Sequence, residues 1–199
     1  IYSLKIGMSK KPVIAGVDEA GRGALAGPVV SCCVVFKDSF EFFDDIDDSK
    51  SLREQTRNDL FNLIRPHIHL GIGMGSHRLI NKSNILKATL RAMQIAIRKN
   101  PTHIDHAIID GNKKPRVSVS CEAIIKADAT VAEVMAASIC AKVIRDRLMK
   151  KYHRIYGGYS FDLHKGYGTK RHYESLFNQG HCPIHRTSFN LNKQLTLFN

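Results

Sequence analysis

The stretch Val13-Ile14-Ala15-Gly16-Val17-Asp18-Glu19-Ala20-Gly21-Arg22-Gly23-Ala24 decides how this chain is read. An apolar run of strand character, Val13 to Val17, delivers two adjacent carboxylates, and two glycines with an arginine between them follow at once. A buried strand that ends in adjacent acids leaves them at low dielectric, where ionised carboxylates are costly unless a cation neutralises them. Gly21 and Gly23 permit positive φ and let backbone N–H groups approach a ligand closely, while Arg22 adds positive charge. The layout predicts a metal-dependent site that handles phosphate.

Working outward, Pro28 to Phe36 is an apolar, β-branched run that predicts a second strand, and the acidic stretch Asp44 to Asp48 reads as a loop closing at Ser49-Lys50. A helix is predicted from Arg53 to Arg65, ended by Pro66, and a Gly-containing strand from His69 to Gly75. Ser83 is the expected N-cap of a helix reaching Asn100, with Leu86, Leu90, Met93 and Ile97 on one stripe. Ala107 to Gly111 and Cys121 to Lys126 are two further short strands, each followed by or ending in an acid, Asp110 and Asp128. The helix signal from Thr130 to Tyr152 carries the alanine stripe Ala132, Ala136, Ala137 and Ala141, suited to close packing on a sheet, and a last helix is expected at Thr169 to Gln179. This order predicts an α/β fold: a mixed sheet flanked by helices, with acids gathered at strand ends and a C-terminal helical extension. Residues 1–12 are read as a leader, of which 1–7 look like a remnant upstream of Met8. Residues 13–190 are expected to form one domain, and 191–199 a tail.

Composition narrows the function. The 199 residues are 43% hydrophobic, enough for a real core, and carry 30 Lys+Arg against 18 Asp+Glu, a formal net charge of +12 that suggests a polyanionic partner. No apolar run approaches the ~20 residues of a membrane span, and no secretory signal is seen, so a soluble cytoplasmic protein without membrane association is expected. Five cysteines, odd in number and mostly in apolar stretches, are expected to be small buried hydrophobes rather than disulfides.

Adjacent strands of one sheet would bring Asp18, Glu19, Asp110 and Asp128 to one place, and oxygen ligands without His or Cys at zinc spacing favour Mg²⁺ or Mn²⁺. His181-Cys182-Pro183-Ile184-His185 looks like half a zinc site but has no second pair, so zinc is not expected. A cation pair of this kind implies phosphoryl transfer.

The chain resembles the type 2 ribonucleases H, and within them the bacterial ribonuclease HII group, from Val13 to Phe189. The resemblance rests on seven motifs in order: G-V-D-E-A-G-R-G (Gly16 to Gly23), D-S-K-S-L (Asp48 to Leu52), I-I-D-G-N (Ile108 to Asn112), I-K-A-D-A (Ile125 to Ala129), A-A-S-I-C-A-K-V-I-R-D (Ala136 to Asp146), H-K-G-Y-G-T (His164 to Thr169) and H-R-T-S-F (His185 to Phe189). It implies a ribonuclease H-like fold and metal-dependent endonucleolytic cleavage of RNA paired to DNA. Single ribonucleotides embedded in DNA are included, incised on their 5′ side, and the products carry 3′-hydroxyl and 5′-phosphate ends. It assigns the four catalytic and metal-binding carboxylates to Asp18, Glu19, Asp110 and Asp128. It assigns the loop that contacts the ribonucleotide 2′-hydroxyl to Gly21, Arg22 and Gly23, and the ribose-stacking ring to Tyr167. Lys50, Lys142, His164, Lys165 and Arg186 match positions near the nucleic-acid backbone and are expected to contact phosphate, whereas Arg145 reads as a solvated helix face. Ala24, Asp47, Ala127 and Thr187 depart from the commonest wording of the motifs without removing a catalytic group. The related ribonuclease HIII group carries an additional N-terminal domain, and the short segment before Val13 favours HII.

A monomer is expected, and Gln194-Leu195-Thr196-Leu197-Phe198 resembles a peptide that binds a sliding clamp. Two other readings stand beside this one: another ribonuclease H-fold nuclease such as a DNA resolvase or recombinase, and a non-catalytic nucleic-acid-binding module. Cleavage of hybrid but not of pure DNA separates the first, and the intact acid set weighs against the second.

Overall fold

The computed structural model describes residues 11–37 and 53–191. Residues 1–10 of the leader, the Asp44 to Asp48 loop, the Asp48 to Leu52 motif with Lys50, and the Gln194 to Phe198 segment lie outside the described residues. Strand β1 (Ile14–Ala20) is the centre of a five-stranded mixed sheet. It pairs antiparallel with β2 (Val29–Phe36), which pairs antiparallel with β3 (Ile68–Gly75); on its other side it pairs parallel with β4 (His106–Asp110), and β4 with β5 (Ser120–Ile124). The acids fall within the last three residues of β1 rather than beyond it, because hydrogen bonding to β2 continues through Asp18, Glu19 and Ala20. Residues of β2 are buried almost throughout, the continuous apolar run of a strand covered on both faces. Period-2 alternation splits it: Cys32 and Val34 join one core layer, Cys33 and Val35 the other.

Helix α1 (Glu54–Ile64) follows the undescribed segment, and the short α2 (His77–Lys82) precedes α3 (Ile85–Arg98). Helix α3 packs on β3 and β2 from one face; α4 (Ala132–Ile155) packs on β1 and β2 from the other, with α1 outside it. The predicted alanine stripe does what its size allows, since Ala136, Ala137 and Ala141 are fully buried against the sheet. Beyond α4, the four-residue α5 (Phe161–His164) and α6 (Lys170–Gln179) form the C-terminal helical part. There Met149, Tyr159, Phe161, Cys182 and Ile184 pack around Ala26. All five cysteines are free, and burial raises the Cys33 and Cys140 thiols to about 12, consistent with inert core residues.

The predicted helix starts one residue later than expected, and a short helix that was not predicted, α2, precedes it. Asn84, not Ser83, caps α3, its side chain accepting the Lys87 N–H at 2.8 Å, while Ser83 ends α2 with its hydroxyl donating to the Leu79 carbonyl at 2.7 Å. The buried face of α3 also differs from the predicted stripe: Met93 and Ile97 are buried, Leu86 is exposed, and the centre of the face is Ala88, Ala92 and Ala96. The reason lies in β3. A methyl on Gly71, Gly73 or Gly75 would come within 2.0, 1.9 and 2.6 Å of the carbonyl oxygens of Ala96, Ala92 and Ala88. Two strand residues advance about 6.7 Å and four helix residues about 6 Å, so every second glycine meets every fourth alanine and backbone packs on backbone. Gly73→Ala is therefore expected to destabilise the protein by about 2–3 kcal/mol, because the carbonyl it meets is main chain and cannot swing away. Urea unfolding against wild type measures it, and an unchanged midpoint would show that α3 can shift.

Candidate active site

Parallel pairing of Val17 with Ile109 brings the ends of β1 and β4, and so Asp18 and Asp110, to the same edge of the sheet. Asp18 is only 5% exposed, and burial first, then the charge of Glu19, raise its carboxyl to about 8. A hydrogen bond from Ser138 on α4 and one from the Glu19 N–H at 2.6 Å act the other way. Burial likewise raises Glu19, opposed by an ion pair with Arg22 at 3.2 Å; its second oxygen, Oε2, is buried with no hydrogen-bond partner. Asp110 accepts the Ala127 N–H at 2.9 Å and thereby pins the 3-10 turn Ala127–Ala129 that carries the buried Asp128. That turn stands just ahead of α4, which begins at Ala132.

A pocket of about 380 Å³ is lined by Asp18, Glu19, Asp110, the Gly21 to Gly23 loop, Lys142 and Tyr167. Asp128 is not part of its lining. Two residues the sequence reading missed also line it, Ser138 and Arg57. Ser138 had a local signal, a single hydroxyl in the alanine-rich face; Arg57 had none, because it arrives from α1 and is fixed by Asp146 at 3.5 Å across the α1–α4 contact. Among the described residues, no three His, Cys, Asp or Glu side chains already converge as a metal cage. The donor set nonetheless fits a hard divalent cation: it is all carboxylate, with Asp18 buried and Glu19 and Asp110 partly so, and one oxygen, Glu19 Oε2, is orphaned. Asp18, Glu19 and Asp110 are the pocket residues that could hold such an ion.

The loop after β1 is held from below. Gly21 has φ +92°, a left-handed conformation open to glycine, and a methyl there would lie 1.9 Å from Nε of Arg145. Arg186 donates to the carbonyls of Gly21 at 2.7 Å, Arg22 at 2.8 Å and Gly27 at 2.9 Å. Tyr167 stands beside the site with Lys142 Nζ 5.4 Å and the Arg145 guanidinium 5.2 Å from its ring centre, and Lys142 pairs with Asp146 at 3.1 Å.

Four basic residues sit elsewhere than the sequence led us to expect. Arg186 is fully buried and its donors are spent on carbonyls, so it is a strut under the loop and no phosphate contact. Lys165 is 7% exposed and bonds Glu54 at 3.0 Å; with Lys150 it holds the Glu54 carboxyl down at about 2. His164 uses both ring nitrogens internally, at Tyr159 O (2.6 Å) and Gly166 N (3.2 Å). Arg145, expected on a solvated face, is fully buried and donates to Pro28 O and Ala26 O at 3.1 and 3.2 Å. Arg145 and Arg186 are covered by the segment between β1 and β2, whereas Lys165 and His164 turn to partners on α1 and within the helical part.

A mixed sheet with a helix on each face, acids gathered at the ends of adjacent β1 and β4, and an arginine-braced glycine loop beside them define a nuclease of the ribonuclease H-like class. The sequence pattern of the family Ribonuclease HII matches residues 15–192. The chain is 45% identical over 177 residues to Ribonuclease HII of Caldanaerobacter subterraneus subsp. tengcongensis, covering 88% of this chain and 73% of that protein. The crystal structure of ribonuclease H2 from Pyrococcus horikoshii superposes with a TM-score of 0.75 at 26% identity, covering 93% of this chain and 97% of that one. RNase HII of Archaeoglobus fulgidus, solved as a complex with PCNA, has the same fold with a TM-score of 0.75 at 24% identity, covering 91% and 97%. The chain belongs to the ribonuclease HII family.

Behind Tyr167, one set of tautomers satisfies a chain of hydrogen bonds. Nδ1–H of His172 donates to Tyr167 O at 2.9 Å, Nε2–H of His185 to His172 Nε2 at 3.0 Å, and the Cys182 N–H to His185 Nδ1 at 2.9 Å. Both imidazoles are neutral, and burial lowers each from 6.5 to about 4. Between those values the unfolded chain binds protons that the folded one refuses, so this contribution to stability is full above 6.5 and lost as pH falls toward 4. Wild type is expected to lose urea resistance between pH of about 7.5 and about 5, and His185→Gln to show a shallower loss from a lower start. Equal slopes would remove the pair from the acid response.

Proposed function

We propose that this chain is an endonuclease that hydrolyses the RNA strand of RNA/DNA hybrids and incises on the 5′ side of single ribonucleotides in duplex DNA, leaving 3′-hydroxyl and 5′-phosphate ends. The observation that carries the reading is one pocket that brings together the buried Asp18, the partly buried Glu19 and Asp110 and, beside them, the Gly21 to Gly23 loop and Tyr167. Asp18, Glu19 and Asp110, with Asp128 completing the set behind them, would hold Mg²⁺ or Mn²⁺. When bound, such ions supply activation of a water and stabilisation of the leaving oxygen. Everything else is the work of the chain. Main-chain groups of Gly21, Arg22 and Gly23 contact the 2′-hydroxyl, and the Tyr167 ring stacks on the ribose, which is how RNA is told from DNA. Lys142, oriented by Asp146, and Arg57 beside it offer cations to the phosphate backbone. Arg22 neutralises Glu19 in the resting site.

A hybrid-specific nuclease of this kind acts in ribonucleotide excision repair and DNA replication, as a cytoplasmic monomer by our reading. That Archaeoglobus fulgidus RNase HII was solved with PCNA supports a clamp contact for this chain through Gln194 to Phe198. Deleting residues 194–199 is expected to abolish capture by a purified sliding clamp, and unchanged capture would refute that contact.

The decisive assay is cleavage of an end-labelled DNA duplex carrying one ribonucleotide, beside an all-DNA control, with Mg²⁺, Mn²⁺ or a chelator. Metal-dependent incision 5′ of the ribonucleotide with the control intact is expected; cutting of both duplexes would point to a general nuclease, and of neither to a binding module. In the same assay Asp18→Asn is expected to lower turnover by at least roughly a thousandfold while hybrid binding stays near wild type, because it removes a charge that acts on the reacting phosphate. Retained turnover would exclude Asp18 as a metal ligand.

A further inference from the structure

Two fully buried guanidiniums meet beneath the glycine loop, and they do different things. Arg186 spends its donors on three loop carbonyls, whereas Arg145 leaves Nη1 buried without a hydrogen-bond partner. A buried cation with an idle donor and no acid within ion-pair distance among the described residues costs several kcal/mol, so a role beyond hydrogen bonding is called for. Its surroundings supply one. Nε and Cδ of Arg145 press on Gly21 so closely that a methyl there would fall 1.9 and 2.4 Å from them. The guanidinium carbon lies 5.2 Å from the centre of the Tyr167 ring, within cation–π range. The remaining donors fix the side chain to Ala26 O and Pro28 O, at the start of β2. The loop and Tyr167 come from segments about 145 residues apart and share one further tie, the Leu25 N–H donated to Gly166 O at 2.8 Å.

We propose that Arg145 is a positioning residue for ribonucleotide recognition: a single rigid side chain that sets the distance between the Gly21 loop and the Tyr167 ring. The proposal rests on the assignment of those two elements to the 2′-hydroxyl and the ribose. A planar fork anchored at two carbonyls fixes both surfaces at once, which a flexible ammonium cannot do. Readers of one ribose must be held to within about 0.5 Å, so a loosened Arg145 blurs recognition while leaving the carboxylates where they are. On a long hybrid many registers present a 2′-hydroxyl to the loop; on a single embedded ribonucleotide only one does. The loss therefore falls on the second substrate.

The test is a double-mutant cycle on folded protein, with circular dichroism and urea midpoints as the folding control. Arg145→Lys is expected to lower kcat/KM on the single-ribonucleotide duplex by roughly tenfold more than on a long hybrid, with the charge retained. Added to Tyr167→Ala it should cost little more, a coupling of roughly tenfold, because the ring it supports is already gone. Where the lysine variant does not fold, Arg145→Gln, whose amide keeps donors for the Ala26 and Pro28 carbonyls, takes its place in the cycle. Equal losses on both substrates together with additive losses in the cycle would overturn the proposal and make Arg145 a structural residue only. If wild type cut hybrids but ignored the single ribonucleotide, the assignment of the loop and Tyr167 would fall first, and this proposal with it.

Discussion

Helix α4 runs so near strand β1 that a methyl on Gly16 would lie 2.1 Å from the carbonyl carbon of Glu133. That approach needs an absent side chain on the strand and the small, fully buried Ala136, Ala137 and Ala141 on the helix. It also determines what the helix can deliver. Ser138 reaches the Asp18 carboxyl, Lys142 reaches the pocket, and Arg145 passes under Gly21, each one helical turn further along the same side. The opposite face repeats the device, with Gly71, Gly73 and Gly75 against Ala88, Ala92 and Ala96. A thin sheet clasped by two close helices holds its strand ends rigidly, which a site built from strand-end acids requires.

Charge burial gives the site its character. Asp18 and Glu19 stand side by side with little access to water, and burial raises both carboxyls above their ordinary values. Beneath the glycine loop Arg145 and Arg186 are fully buried, and burial first, then the charge of Arg145, lowers Arg186 to about 9. Neither arrangement would persist on Coulomb energy, since desolvation costs several kcal/mol per ion. The arginines are offset by hydrogen bonds to carbonyls, which for a charged donor contribute about 1.5–3 kcal/mol each. The acids have a smaller offset, from Ser138, the Glu19 N–H and Arg22, and burial still raises both carboxyls.

The sequence was readable where a local pattern has one physical solution. Val13 to Val17 before Asp18-Glu19 could only be a buried strand, Gly21 needed a backbone few other residues adopt, and the alanines of α4 announced close packing. It was less readable where geometry depends on a distant neighbour. The α3 face was predicted from its large aliphatics, yet the glycines of β3 drew the alanines inward and left Leu86 exposed. Ser83 and Asn84 are both good caps, and only the short α2 ahead of them decided between the two.

The basic residues separate the two sources of information most clearly. Sequence by itself determined that four acids stand at strand ends or beside them, that glycine must follow, and that the chain carries an excess of positive charge, because each depends on residue type and near neighbours. Which positive charges face the substrate was decided by tertiary structure. Lys142 and Arg57 line the pocket, while Arg145, Lys165, His164 and Arg186 turn inward to Ala26 and Pro28, to Glu54, to Tyr159 and Gly166, and to the loop carbonyls. A long cationic side chain finds a carbonyl as good a partner as water once the fold brings one within reach, and sequence does not encode that distance locally.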